Sequence, residues 1–478
     1  MKRTLDLFKT RGISSLVVLL MTLPVWGHDG DTFTEKTVEG VMLTYTVLSE
    51  SEKTCMVGEE HLWPVIRARR VHNVSGNQPS GDITIPEVAN GYAVIRIEAY
   101  AFENAAITSV VIPNSVKTVG PAAFQGCANL KSVRLPDQLK TIEWNTFFDC
   151  ASLVSIDIPE GVTSIEDDAF YGCRQLKEAT IPSSVVHFGE HVFYSTGFTS
   201  MPKLPDGLTT IPYGIFESCP LTSVEIPENI TTIDGCAFNN CLFSEIEIPA
   251  SVTHIGVAAF ARCRNLTSIV IPDNVTEIEF NAFANCSKLK TVTLSNNLSS
   301  LSEGIFHNCA SLESISIPSG VKTIGKLAFY ECSSLRSISL PEDVERIEEQ
   351  TFYGCSSLSS VTLGSKVKFI DMWAFSECMN LTDFYCHAEQ VPETNSIAFK
   401  RTNIENVTLH VPAASVGAYQ TAEPWKNFKE IVVLTGISDA LRQKEETIKN
   451  DVYNLQGLRI STLQKGLNIV NGRKVIVH

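Results

Sequence analysis

No stretch of this chain is both long enough and apolar enough to cross a membrane. The longest apolar run, Ile13 to Leu23, falls short of the roughly 20 residues a spanning helix needs, and no later segment reaches that length. Positive charge is scarce too. Lys and Arg number 38 against 53 Asp and Glu, a formal charge of −15 that becomes about −18 once residues 1–27 are set aside. That balance disfavours nucleic acid and anionic membrane surfaces, and it would steer basic partners. Catalytic motifs are missing: there is no Gly-x-Ser-x-Gly elbow, no phosphate loop and no paired-cysteine motif outside the repeat described below. His187-Phe188-Gly189-Glu190-His191 sets two His four apart, but Glu190 directly precedes the second and the segment reads as a turn, so metalloprotease spacing is absent. The other His, His254 and His307 among them, are scattered. The sequence therefore predicts no catalytic residue, no cofactor site and no metal site.

What the chain has is a beat. Phenylalanine recurs at Phe102, Phe124, Phe147, Phe170, Phe193, Phe216, Phe238, Phe260, Phe283, Phe306, Phe329, Phe352, Phe375 and Phe399, in steps of 22 to 24 residues. A period of that size marks a solenoid, whose units bury their apolar faces only against one another. One unit reads Cys309, Leu312, Ile315, Ile317-Pro318, Val321, Ile324-Gly325, Ala328-Phe329. Leu-x-x-Ile-x-Ile combines alternation with β-branched residues and suits a strand, which the following Pro ends because it cannot donate to a ladder. The Val-x-x-Ile-Gly segment then carries the chain to a return arc where the Phe points inward. Stacked units give one parallel sheet and a row of Phe rings that serves as a core spine.

Eleven cysteines keep the same beat, each three residues after a repeat Phe, from Cys127 to Cys378, with Thr196 the one interruption. In-register residues send their Cβ atoms out in parallel, a poor start for a disulfide torsion, so this row reads as buried reduced thiols packing as small hydrophobes. Spread along a line, they also cannot gather round a zinc ion. Cys55, Cys236 and Cys386 stand outside the row and are the better disulfide or reactive candidates.

The unit Cys-x-x-Leu-x-x-Ile-x-Ile-Pro-x-x-Val-x-x-Ile-Gly-x-x-Ala-Phe resembles the BspA-like, Treponema pallidum-type leucine-rich repeat of bacterial surface proteins, over residues from about 83 to 412. The resemblance implies a leucine-rich repeat solenoid of about 14 turns with a parallel β-sheet along one face, capped at both ends. It also implies a secreted or cell-surface bacterial protein without enzymatic activity, with adhesion to host matrix proteins, host cells or other bacteria as its role. Lys2, Arg3, Lys9 and Arg11, the apolar run and Val25-Trp26-Gly27 read as a secretory signal peptide over residues 1–27. The expected order continues with an amino-terminal β cap at 28–82 containing Trp63-Pro64, the solenoid at 83–412, a cap at 413–437 with Trp425 and Phe428, and a polar linker at 438–450. A β tail at 451–478, with Asn471-Gly472 between alternating runs, resembles the carboxy-terminal segments of exported Bacteroidetes proteins, some of which are sorting signals.

Function is expected on the outward positions of the strand face. The central one reads Val111, Arg134, Asp157, Thr180, Lys203, Glu225, Glu247 and Val270 in successive units, and the same-side position before it is mostly Ser, as at Ser132 and Ser155. Such a surface is shallow and hydroxyl-rich, and suits an extended partner touched at many weak points. Glu225, Glu245 and Glu247 make it locally acidic, with Glu228, Asp273, Glu277 and Glu279 close in sequence. Arg134, Asp157, Lys203, Glu225, Glu245 and Glu247 are thus the candidate contacts. The expected partner is protein, with a captured glycan or no partner at all, as in an envelope spacer, as the alternatives. No nucleic acid and no membrane insertion of the mature chain are expected.

Overall fold

The computed structural model describes residues 28–58 and 79–434, and the backbone of four strands between Val452 and Val477. The expected signal peptide, Trp63-Pro64 and the linker at 438–450 lie outside the described residues. Over 79–434 the chain winds as a parallel β-solenoid of about 15 turns.

Each turn begins with the strand that the alternation foretells. Ser155–Asp157 pairs in parallel with Glu178–Thr180, with Ile156 opposite Ala179. Ile156 is buried, while Ser155 and Asp157 face out. Pro159 ends that strand, and its carbonyl accepts the Val162 N–H at 3.0 Å, a bond repeated from turn to turn. The Val-x-x-Ile-Gly segment then does more than cross over. It forms a second parallel ladder of two-residue strands, Thr141–Ile142, Ser164–Ile165 and His187–Phe188 among them, each with its second residue buried. A two-residue strand is too short to leave an alternation pattern, so the sequence reading expected only one sheet.

The arc closes the turn around the Phe. Residues two before and two after it take left-handed backbone angles, as at Asn145 (φ 55°) and Asp149 (φ 53°) around Phe147. Ala122, Leu327 and Trp373 do so without being Gly or Asn, at about 1–2 kcal/mol each. Hydrogen bonds to the next turn hold the geometry: the N–H groups of Asn145, Phe147 and Asp149 donate to the carbonyls of Asp167, Ala169 and Tyr171 at 3.0, 2.9 and 2.7 Å. Inside the arc, every consecutive Phe pair from Phe102 to Phe399 is stacked, with ring centroids 5.0–6.1 Å apart.

The thiol row has a task in the arc. Each Cys donates its S–H to the Phe carbonyl of the preceding turn, as Cys127 to Phe102 at 3.0 Å and Cys355 to Phe329 at 3.2 Å. Where the row ends, the Thr402 hydroxyl makes the same bond to the Phe375 carbonyl at 2.6 Å. All fourteen cysteines are free. That corrects the expectation for the three outside the row: Cys55 and Cys386 are buried, and Cys386 meets the Tyr419 hydroxyl at 3.2 Å. Burial pushes the Cys55 thiol up to about 12 and raises that of half-buried Cys236, which disfavours the reactive thiolate.

Both ends of the stack are covered. Thr32–Lys36, Met42–Ser49 and Thr54–Val57 form an antiparallel sheet, and the last of them pairs in parallel with Tyr92–Ile97, which in turn pairs with Thr118–Val119. At the other end Glu430–Val433 extends the strand ladder beyond Thr408–Val411. Trp425 and Phe428 close edge-on against Phe399 at 6.0 and 5.5 Å. The tail strands Val452–Tyr453, Arg459–Ile460, Gly466–Val470 and Arg473–Val477 make a separate antiparallel sheet. Among the described residues no helix is long and apolar enough to cross a membrane.

Candidate binding face

The outward positions of the strand ladder form a band running the length of the stack. At its amino-terminal end hydroxyls and carboxylates interlock. Thr108 and Ser109 donate to the Asp82 carboxylate at 2.7 and 2.6 Å and hold it below its usual range, and Thr180 donates to Asp157 at 2.8 Å. Arg134 and Asp157 are exposed on successive turns.

The other four candidate contacts share an unexpected setting. Lys203, Glu225, Glu245 and Glu247 are all exposed, but the ladder beneath them is broken. Between Glu178–Thr180 and Ser268–Val270 only one bridge, Ser200 to Ser223, remains among the described residues. The cause lies in the sequence. In three successive turns one residue is missing before the first inward position: Cys219-Pro220-Leu221 stands where Cys309-Ala310-Ser311-Leu312 stands elsewhere. Phe198 and Phe243 occupy that place in the flanking two turns and meet the spine edge-on, at 5.3 Å from Phe193 and 6.3 Å from Phe238. Pro202 also withdraws a donor from the first of these turns. The carboxylates of Glu225, Glu245 and Glu247 have no ion-pair partner among the described residues, and Lys203 reaches Asp206 at 3.4 Å. Glu277 and Glu279, close in sequence, are not part of this group, because they belong to the second ladder.

At the carboxy-terminal end the face carries a cluster that the sequence reading stopped short of. Tyr385 and His410 are register partners next to Thr362. Their rings stack at 4.1 Å, and His410 Nε2 lies 3.0 Å from Asp383 Oδ1. Burial raises the Tyr385 phenol. Aligning Phe384 and Cys386 with the Ile-x-Ile positions of the repeat would have placed Tyr385 at the central outward position.

The arc supplies aromatics of another kind. Phe148, Tyr171 and Tyr194 stack at 4.7 and 4.3 Å, and His307, Tyr330 and Tyr353 at 4.8 and 4.9 Å. Because these rings stack along the solenoid axis, each face inside the row is covered by its neighbour, leaving edges toward solvent.

A family model described as a BspA-type leucine-rich repeat region matches residues 95–220, 209–335 and 299–421. Among solved structures, the chain is similar to a leucine-rich repeat protein from Bacteroides ovatus ATCC 8483. The two are 29% identical over 74% of this chain and 94% of that one, with a TM-score of 0.60. It is also similar to a leucine-rich cell surface protein from Faecalibacterium prausnitzii A2-165, at 27% identity over 69% and 94% of the two chains with a TM-score of 0.43. The pneumococcal vaccine antigen PcpA matches at 19% identity over 86% and 100%, with a TM-score of 0.48. No curated protein matches the chain.

Proposed function

The chain belongs to the BspA-type leucine-rich repeat family, and from that premise we propose that it is an exported, surface-displayed adhesin that binds protein through its strand face. The partner is a host matrix or cell-surface protein, or a protein on a neighbouring bacterium. The observation that carries this reading is the band of exposed Ser, Thr and charged side chains on parallel strand ladders to either side of the break. A preformed array offers many weak contacts at once and avoids part of the ordering cost of binding. Arg134 and Asp157 lie on the ordered part of that band, and Glu225, Glu245 and Glu247 add unpaired negative charge where the backbone is irregular. A basic segment of the partner is the natural complement. The covered faces of the arc aromatics count against a glycan platform, which needs open ring faces. The tail at 451–478 fits a sorting segment that places the solenoid at the cell surface.

The test is binding of the purified chain to a panel of matrix proteins, mucin and bacterial surface extracts across a salt series. Saturable binding to one protein is expected, weakened at least tenfold by reversing Glu225, Glu245 and Glu247 to Lys, with a shallower salt dependence. Saturable binding that free oligosaccharide abolishes would favour glycan capture, and no saturable binding at all would favour an envelope spacer.

A further inference from the structure

We propose that His254, Glu277 and Glu279 form a divalent-cation site, suited to zinc, that clamps two successive turns of the second ladder. The register brings them together. His254 is the Cα partner of Glu277, and with Ile255 and Ile278 buried, both point outward. Glu279, one residue past Ile278, returns to the same side. Donor atoms of the three residues all lie within 4.8 Å of one another. His254 Nδ1 is 3.4 Å from a Glu277 oxygen, and Nε2 is 3.6 Å from Glu279 Oε1.

Three further observations distinguish this group from an ordinary charged surface. Glu279 is already oriented, since its Oε2 accepts the Val257 N–H at 2.9 Å and leaves Oε1 toward the imidazole; outer bonds of this kind fix metal ligands. Neither glutamate has a Lys or Arg partner among the described residues, so the imidazole is the one ionisable base beside two carboxylates, and one divalent ion would neutralise both. His187, His191 and His410 each face a single carboxylate, and this is the one three-donor group among the described residues. One imidazole nitrogen with two carboxylate oxygens is a zinc donor set, at about 2.0–2.2 Å per bond; the glutamates lie beside different ring nitrogens, so binding turns the imidazole or one carboxylate until all three donors face one point. Calcium prefers oxygen alone. The ion would leave coordination positions open to water. The location also has structural sense. The His254 turn is the last over which the strand ladder is broken, and the Glu277 turn is the one in which Ser268–Val270 restores it.

The experiment is a calorimetric titration of the full chain, stripped by chelator, with zinc chloride. One equivalent should bind, and His254→Ala and Glu279→Gln should each weaken it at least tenfold while His187→Ala leaves it unchanged. Zinc should raise the unfolding midpoint of the parent chain but not that of His254→Ala, whose circular dichroism should match the parent. Glu277→Gln, isosteric and surface-exposed, provides a second variant should His254→Ala fold poorly. Absence of saturable binding, or binding that survives both His254→Ala and Glu277→Gln, would overturn the proposal. So would binding lost in Cys236→Ser, which would assign the ion to the half-exposed thiol.

Discussion

At the residue scale, the thiol row shows how one side chain can be repeated for a reason other than packing alone. The Phe carbonyl in each arc accepts the Cys N–H of its own turn, as Phe124 does from Cys127 at 3.1 Å, and the S–H of the next, as from Cys150 at 3.2 Å. Thr402 can stand in because its hydroxyl reaches the same carbonyl. Burial that protects these bonds also protects the sulfur. Iodoacetamide applied to the native chain is therefore expected to modify Cys236 alone, and all fourteen cysteines after unfolding in guanidinium. Intact-mass measurement reads the difference, and several native adducts would show that the arcs open.

At the scale of elements, the broken ladder between Glu178–Thr180 and Ser268–Val270 makes a local prediction. Amides from Val224 to Ile226 and from Glu245 to Ile248 lack the inter-turn bonds that Ser268–Val270 makes with Thr291–Thr293. They should exchange with deuterium at least tenfold faster, as read by peptide-level mass spectrometry. Equal protection would mean that the ladder is intact there. This stretch also marks the limit of what the sequence discloses. The strand, the Phe spine and the stacking were legible because Leu-x-x-Ile-x-Ile and Phe repeat often enough to average out local variation. The break was not, because a single missing residue before Leu221 leaves the Phe spacing almost unchanged. The second ladder was hidden by its length, and Tyr385 by a strand written with Phe384 and Cys386 in place of Ile. His254 and Glu277 are 23 residues apart, and only the register makes them neighbours.

At the scale of the whole molecule, small repeated terms add along the stack. The row thiols Cys127, Cys219, Cys263, Cys332 and Cys378 are held by burial at about 12, 11, 12, 12 and 12, whereas an unfolded thiol ionises near about 8.5. With the folded value raised, the contribution of these neutral thiols to stability is complete below about pH 8.5 and is lost as pH climbs toward about 12. Denaturant midpoints should be flat with respect to this term from pH 7 to about 8.5 and fall steeply above it. Replacing Cys263, Cys332 and Cys378 by Thr, following Thr402, should flatten that fall. An unchanged profile would mean that other groups govern the alkaline transition.

The strand ladder and the second ladder share one direction with the arc's turn-to-turn bonds, so that their hydrogen bonds run along the axis of the stack. Force applied to the two ends of such a chain acts along those bonds, and it falls first on the outermost row. A turn that yields releases 22 to 24 residues, about 75–85 Å of extended chain, before the next row takes the strain. Pulled at its two ends, the solenoid would act as a tether that lengthens in nearly equal steps.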